Sequence, residues 1–98
     1  MMDVLHNIGD AMEWLKRGER AARRGWNGKD MWIALSPGHP ALPANNFWSK
    51  GGREYAEAMG GTAEVLPSFI MKTADGKIQP GWSPSQADCL ANDWFVLI

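Results

Sequence analysis

The chain has a single cysteine, Cys89, and only two histidines, His6 and His39, far apart in sequence. One thiol closes no internal disulfide and gives no sign of an oxidising compartment. One Cys and two remote His residues fall short of a metal-ligand set, so neither a metal nor a cofactor is expected. No apolar run reaches the roughly 20 residues that a membrane-spanning helix needs, and the N-terminus shows no signal-peptide pattern. The expected setting is therefore the cytoplasm, with no membrane partner. An excess of positive charge is also missing. Ten Lys and Arg against eleven Asp and Glu leave a net charge of −1, which argues against a general DNA- or RNA-binding protein. Catalytic signatures are absent too. There is no Walker-type loop and no nucleophile elbow with a Ser-His-Asp order. Asp88 and Asp93 are spaced so that they need not share a helix face, so a paired-carboxylate mechanism is not indicated.

Tryptophan stands out, with six in 98 residues. Each offers a flat face and one N–H donor, suited to a core or to gripping a ring. The basic residues are unevenly placed. Lys16, Arg17, Arg20, Arg23, Arg24 and Lys29 are six of the ten, opposed over that stretch only by Glu19. Such a local patch on a nearly neutral chain suits a small anion better than a long polyanion. It is equally the signature of a solvated face. The length leaves room for one domain, 1–98, and a domain this small gains from self-association.

Along the chain, Leu5, Ile8, Met12 and Leu15 form an apolar stripe at helical spacing. They predict a helix over residues 7–18, with Asn7 as N-cap and Gly18 at its C-terminal stop. Strands are predicted at 19–24 and 31–35, joined as a hairpin through Gly25-Trp26-Asn27-Gly28, because Asn-Gly is a strong turn signal. Residues 36–67 carry Pro37, Gly38, Pro40, Pro43, Asn45 and Asn46, which disfavour regular structure. A short helix is expected near 53–59, closed by Gly60 and Gly61. A loop of that length serves as a lid or is tolerated decoration. A strand at 68–73 turns through Asp75-Gly76 into Lys77-Ile78-Gln79. Ser83-Pro84-Ser85-Gln86 reads as a helix start with Ser83 as N-cap, which would turn Ala87, Leu90 and Ala91 inward. The closing run Trp94-Phe95-Val96-Leu97-Ile98 does not alternate, and so predicts a strand buried on both faces, in the core or at a subunit contact. The fold class is α+β: a small antiparallel sheet packed against an N-terminal helix and a second helix near the C-terminus.

Three clusters carry candidate binding chemistry. Trp26, Asn27 and Gly28, followed by Trp32, join aromatic faces to a side-chain amide, which suits a purine. A packed hairpin turn would look the same. Ser83, Ser85 and Gln86, next to Trp82, present hydroxyls and backbone N–H groups at a helix start, where phosphates bind readily; ordinary capping uses the same residues. Lys72-Thr73 and the acids Asp75, Asp88 and Asp93 supply a phosphate partner and acceptors for ribose hydroxyls or an amino group. Asp75 is also the natural residue of an Asp-Gly turn.

Three motifs occur in order: Trp26-Asn27-Gly28-Lys29 with Met31-Trp32, then Met71-Lys72-Thr73-Ala74-Asp75-Gly76, then Trp82-Ser83-Pro84-Ser85-Gln86-Ala87-Asp88 running on to Trp94. With these, and with the opening helix, the chain resembles the Thoeris anti-defence 2 family of bacteriophages and prophages. The match leaves out residues 36–67. The resemblance implies a non-enzymatic sponge in the cytoplasm of the infected bacterium. It would bind glycocyclic ADP-ribose, the cyclic ADP-ribose-type signal of the Thoeris immune system, and keep it from its effector. It also implies a homotetramer with pockets between subunits, and for some members binding of the cyclic dinucleotides of CBASS defence. Residue chemistry then suggests roles. Trp26 and Trp32 would flank the base, Asn27 would read its edge or a ribose, Lys72 with the Ser83/Ser85 helix start would take the phosphates, and Asp88 would bond a hydroxyl or the amino group. Two alternatives stay open. One is hydrolysis of the nucleotide by an aspartate; the other is direct inhibition of a TIR or effector protein through Phe47 and Trp48.

Overall fold

Asn7 opens the first helix as its composition predicts. Its side chain accepts from the Asp10 backbone N–H at 3.0 Å, and the Asp10 carboxylate answers the Asn7 N–H at 3.3 Å, a reciprocal capping box. Helix α1 runs Ile8–Lys16. It ends where Gly18, at φ +88°, takes a left-handed turn that a side chain would strain. The apolar stripe starts at Ile8, one turn later than expected. Leu5 lies outside the helix and is exposed, while Ala11 and Leu15 are fully buried. The computed structural model describes residues 5–98.

The chain forms two compact units, one being Pro37–Pro67 and the other the chain on either side of it. The larger unit holds strands β1 (Arg20–Arg23) and β2 (Trp32–Ser36), then β5 (Ser68–Lys72), β6 (Ile78–Pro80) and β7 (Trp94–Leu97). They make one antiparallel sheet in the order β6-β5-β2-β1-β7. Cross-strand partners share a face and neighbours along a strand alternate. Ala21 opposite Ile33 and Val96, Ile33 opposite Met71, and Leu35 opposite Phe69 therefore point to one side. On that side α1 lays Ala11 and Leu15 against Ala21, Ile33 and Trp94, with Met71, Phe69, Trp82 and Trp26 packed around them. The other face carries Arg20 and Ala22 on β1, with Trp32 and Ala34 on β2 and Phe95 and Leu97 on β7. Arg20 lies 5.4 Å from the centre of the Trp32 ring, and Arg24 5.0 Å from that of Phe95.

Three expectations need correction here. The β1–β2 connection is a loop through residues 24–31, not a tight Asn-Gly turn. Its left-handed residue is Asp30 at φ +58°, and Gly28 serves space rather than backbone freedom. A Cβ on Gly28 would strike the Met31 thioether and stand 2.8 Å from Ala74. The second expected helix, α3, is Gln86–Leu90 with Ser85, not Ser83, as N-cap. Asp88 supplies the reciprocal partner at the third helical position, and this box outweighs the local Ser83-Pro84 signal. Asp88 thereby turns inward, and Leu90 is left exposed. Finally, β7 is an edge strand. Trp94 is buried, while Phe95, Val96 and Leu97 are half-buried.

The smaller unit contains structure that its prolines hid. Strand β3 (His39–Pro43) pairs antiparallel with β4 (Thr62–Val65), with a register shift between His39 and Leu42. Proline has no N–H to donate, so Pro40 and Pro43 are tolerable in a two-stranded ribbon where half the backbone groups need no strand partner. Helix α2 (Lys50–Ala58) is capped by Ser49, whose hydroxyl accepts from the Gly52 N–H at 3.0 Å. It begins three residues before the expected start and closes through Gly60 and Gly61 at φ +101° and +107°. Ala44, just after β3, and Ala56 of α2 are buried, and Trp48, Tyr55 and Met59 stand exposed.

Candidate functional site

β1 splits the basic run between the two faces of the sheet. Arg23 turns inward and meets two carboxylates. Its Nη1 donates to Asp88 at 2.7 Å and its Nε to Asp93 at 2.8 Å. The three groups are mostly buried, and each shifts the others. Asp93, then Asp88, raise the pKa of Arg23. Arg23 lowers that of Asp93, helped by the Gly25 N–H, which donates to it at 2.8 Å. At Asp88 burial works against the charge. The Ser85 N–H, the Trp26 indole and Arg23 overcome that, and hold the carboxyl at about 2. An ion pair this buried is stable only because its remaining lone pairs are also satisfied.

Asp88 is thus the junction of the larger unit. One oxygen takes Arg23 and the Trp26 Nε1 at 3.0 Å; the other takes the Ser85 N–H at 2.8 Å. Its backbone carbonyl accepts from the Trp94 indole at 3.1 Å. The Trp26 ring meets Trp94 edge-on at 5.5 Å and Trp82 at 6.4 Å, and Trp82 meets Phe69 at 6.2 Å. Edge-to-face contacts of this kind fix ring orientation.

Beside this junction lies a cavity of about 430 Å³ under the 24–31 loop. Ligand pockets generally measure about 300–1,000 Å³. Trp26, Phe95, Leu97 and Met31 give it apolar walls, Asn27 an amide, and Arg24 and Lys29 positive charge. Gly28 keeps the loop close. Lys72 reaches the loop from β5, with its Nζ donating to the Asp30 carbonyl at 2.9 Å. That bond ties down the left-handed residue.

The nine residues singled out in the sequence are therefore distributed as follows. Trp26 and Asn27 line the cavity, and Lys72 braces its loop. Asp88 accepts from the Trp26 indole and Trp82 meets that ring edge-on, while Ser85 caps α3 and donates to the Asp88 carboxylate. Trp32 is on the outer sheet face under Arg20 and stands outside the cavity lining. Thr73 closes the Asp75-Gly76 turn, with its hydroxyl bonded to Asp75 and to the Lys77 backbone. Ser83 is exposed ahead of α3. The N–H groups of Ser85 and Asp88 are used within the capping box of α3. Sequence reasoning misses Arg24, Lys29, Phe95 and Leu97 as lining residues of this cavity. The basic run carries the signal for Arg24 and Lys29, but only their tertiary partners separate Arg24 from Arg23.

A half-buried indole, an amide and two cations line one hollow. The chain belongs to the Thoeris anti-defense 2-like family, whose model matches residues 6–97. It is 38% identical over 96 residues to the protein named Thoeris anti-defense 2 of Bacillus phage SP01, covering 98% of this chain and 99% of that one.

Proposed function

We propose that this protein opposes Thoeris defence by binding its nucleotide signal, glycocyclic ADP-ribose, and withholding it without degrading it. The observation that carries this reading is the cavity that brings Trp26, Asn27, Arg24 and Lys29 together. The ligand has an adenine to stack, riboses to hydrogen-bond and a diphosphate to neutralise. Trp26 takes the base, Asn27 an edge or a hydroxyl, and Arg24 and Lys29 the diphosphate. Lys72 lies at the rim through its hold on Asp30. A phosphate at the α3 start would compete with the Ser85–Asp88 capping box, so the cations of the loop are the better partners.

Sequestration sets a quantitative demand. The protein must bind more tightly than the effector, near nanomolar, which corresponds to about 12 kcal/mol. Stacking contributes roughly 1–3 kcal/mol per base, so charge-assisted phosphate contacts must supply much of the rest. The proposal includes the homotetramer that the family resemblance implies, to be measured by sedimentation. The central test is calorimetric titration with glycocyclic ADP-ribose, then heat release and mass analysis of the ligand. Nanomolar binding with intact ligand is expected. Absence of binding, or recovery of a hydrolysed product, overturns the proposal; a cyclic dinucleotide titrated in parallel shows whether that class binds instead.

A further inference from the structure

Asp88 is the least exposed acidic residue described and lies outside the cavity, yet it makes the only side-chain hydrogen bond recorded for Trp26 among the described residues. Resting on the cavity reading above, we propose that Asp88 is a positioning residue. Its carboxylate anchors the indole N–H of Trp26 and so fixes the angle at which that ring meets a bound base. Three observations carry this. First, Asp88 is anchored independently of Trp26. The Ser85 N–H and the Arg23 guanidinium hold it at 2.8 and 2.7 Å, so the carboxylate is a fixed point and the ring is what it holds. Second, the loop that bears Trp26 is tied to the same group at the residue before it, because Asp93 pairs with Arg23 and accepts from the Gly25 N–H. A Cβ on Gly25 would come within 2.7 Å of the Asp93 Oδ2, so the loop can approach this closely only as glycine. Third, the remaining ring contacts, with Trp82 and Trp94, are edge-to-face. The Nε1 bond is the directional contact among them.

Asp88 therefore acts through Trp26, not on the ligand. An indole held before binding loses less rotamer freedom when the base stacks on it, which is how preorganisation raises affinity. The ion pair also explains why one acid is turned inward on a five-residue helix while Leu90 is left outside.

The test is a double-mutant cycle on binding. Asp88→Asn keeps the size of the side chain and an oxygen acceptor, and Asp93 remains to pair with Arg23, so the fold is retained. Trp26→Phe keeps an aromatic face and removes the indole N–H. Dissociation constants for glycocyclic ADP-ribose are measured for wild type, each variant and the double variant. Asp88→Asn is expected to weaken binding about tenfold, because the neutral amide oxygen replaces a charge-assisted bond from the indole N–H with a weaker one. In the Trp26→Phe background the same change is expected to cost no more than about twofold, because the bond is already gone. The Trp26 indole resonance, identified by its disappearance in Trp26→Phe, should move upfield in Asp88→Asn. Asn7→Ala, which removes the α1 cap away from this group, should lower stability and leave the dissociation constant unchanged. If Asp88→Asn weakens binding equally in both backgrounds, or the Trp26 resonance does not move, Asp88 is only a fold-stabilising ion pair and the inference is wrong. A wild-type dissociation constant in Trp26→Ala is a different failure. It removes Trp26 from the ligand site, and with it any positioning toward the ligand, even where the resonance shift shows that Asp88 holds the ring.

Discussion

Arg23 and Arg24 are adjacent and chemically identical, yet one is spent on the fold and the other faces a cavity. Arg23 is the last residue of β1 and turns to the core face, while Arg24, just past the strand end, lies over Phe95 on the other face. The carboxylates that meet Arg23 make the fold sensitive to acid, and the sign follows from Asp88. Its folded-state pKa is about 2, against the ordinary 3.8 of a free carboxyl. A lowered pKa contributes stability that is fully present above about pH 4 and is lost as the pH falls toward 2. The shift corresponds to something on the order of 2 kcal/mol. Asp93 shifts in the same direction, so the loss is shared. Urea unfolding of wild type and Asp88→Asn between pH 7 and pH 2.5 is expected to show a stability difference that shrinks below pH 4. A difference independent of pH would mean that Asp88 is not charged in the folded state.

Among the elements, the two capping boxes illustrate how local and tertiary signals combine. At α1 the box Asn7–Asp10 stands alone in sequence and needs no outside help. At α3 two serines compete for the start, and the choice falls on the one whose third residue also binds Arg23 and Trp26. Ser85→Ala removes the hydroxyl that accepts from the Asp88 N–H at 3.1 Å. It is expected to cost about 1 kcal/mol, the usual worth of an N-cap. Ser83→Ala, two residues earlier and exposed, should stay within about 0.5 kcal/mol of wild type. Thermal unfolding of the two variants checks this; equal effects would put the helix start where the Ser83-Pro84 pattern alone had put it. The β1–β2 loop shows the converse. Asn27-Gly28 has the composition of a two-residue turn, but cross-strand register starts only at Ala21 and Ile33. The residues in between are free to form a cavity wall.

On the scale of the whole chain, the segment Pro37–Pro67 enters and leaves between two residues that face each other, since Ser36 pairs with Ser68 at the end of β2 and β5. A two-residue Asn-Gly turn spans such a pair. Replacing residues 37–67 with that turn is expected to preserve the five-stranded sheet and its cooperative unfolding, read by amide exchange and urea titration. Non-cooperative unfolding of the shortened chain would show that the larger unit depends on the segment. If the shortened chain folds but binds the signal more weakly, the segment has the role of a lid; an unchanged affinity makes it decoration.

The amino-acid sequence by itself determined the α+β class, the α1 helix with its Asn7 and Gly18 ends, the turn at Asp75-Gly76, and the strands around Ile33, Ile70 and Phe95. It also placed Trp26 and Asn27 among the residues to consider. All of these rest on interactions between residues close in sequence, whose hydrogen bonds and backbone preferences are set by the residues themselves. The tertiary structure alone decided that Arg23 is buried and Arg24 open, that Trp32 lies away from Trp26, that Asp88 points inward, and that β3 and β4 pair across the prolines. Each of these depends on a partner far along the chain, such as Asp88 and Asp93 for Arg23. Such partners meet only when strand register brings them together, and the pairing of β1 with β7, Arg23 opposite Trp94, is what delivers both carboxylates to one guanidinium.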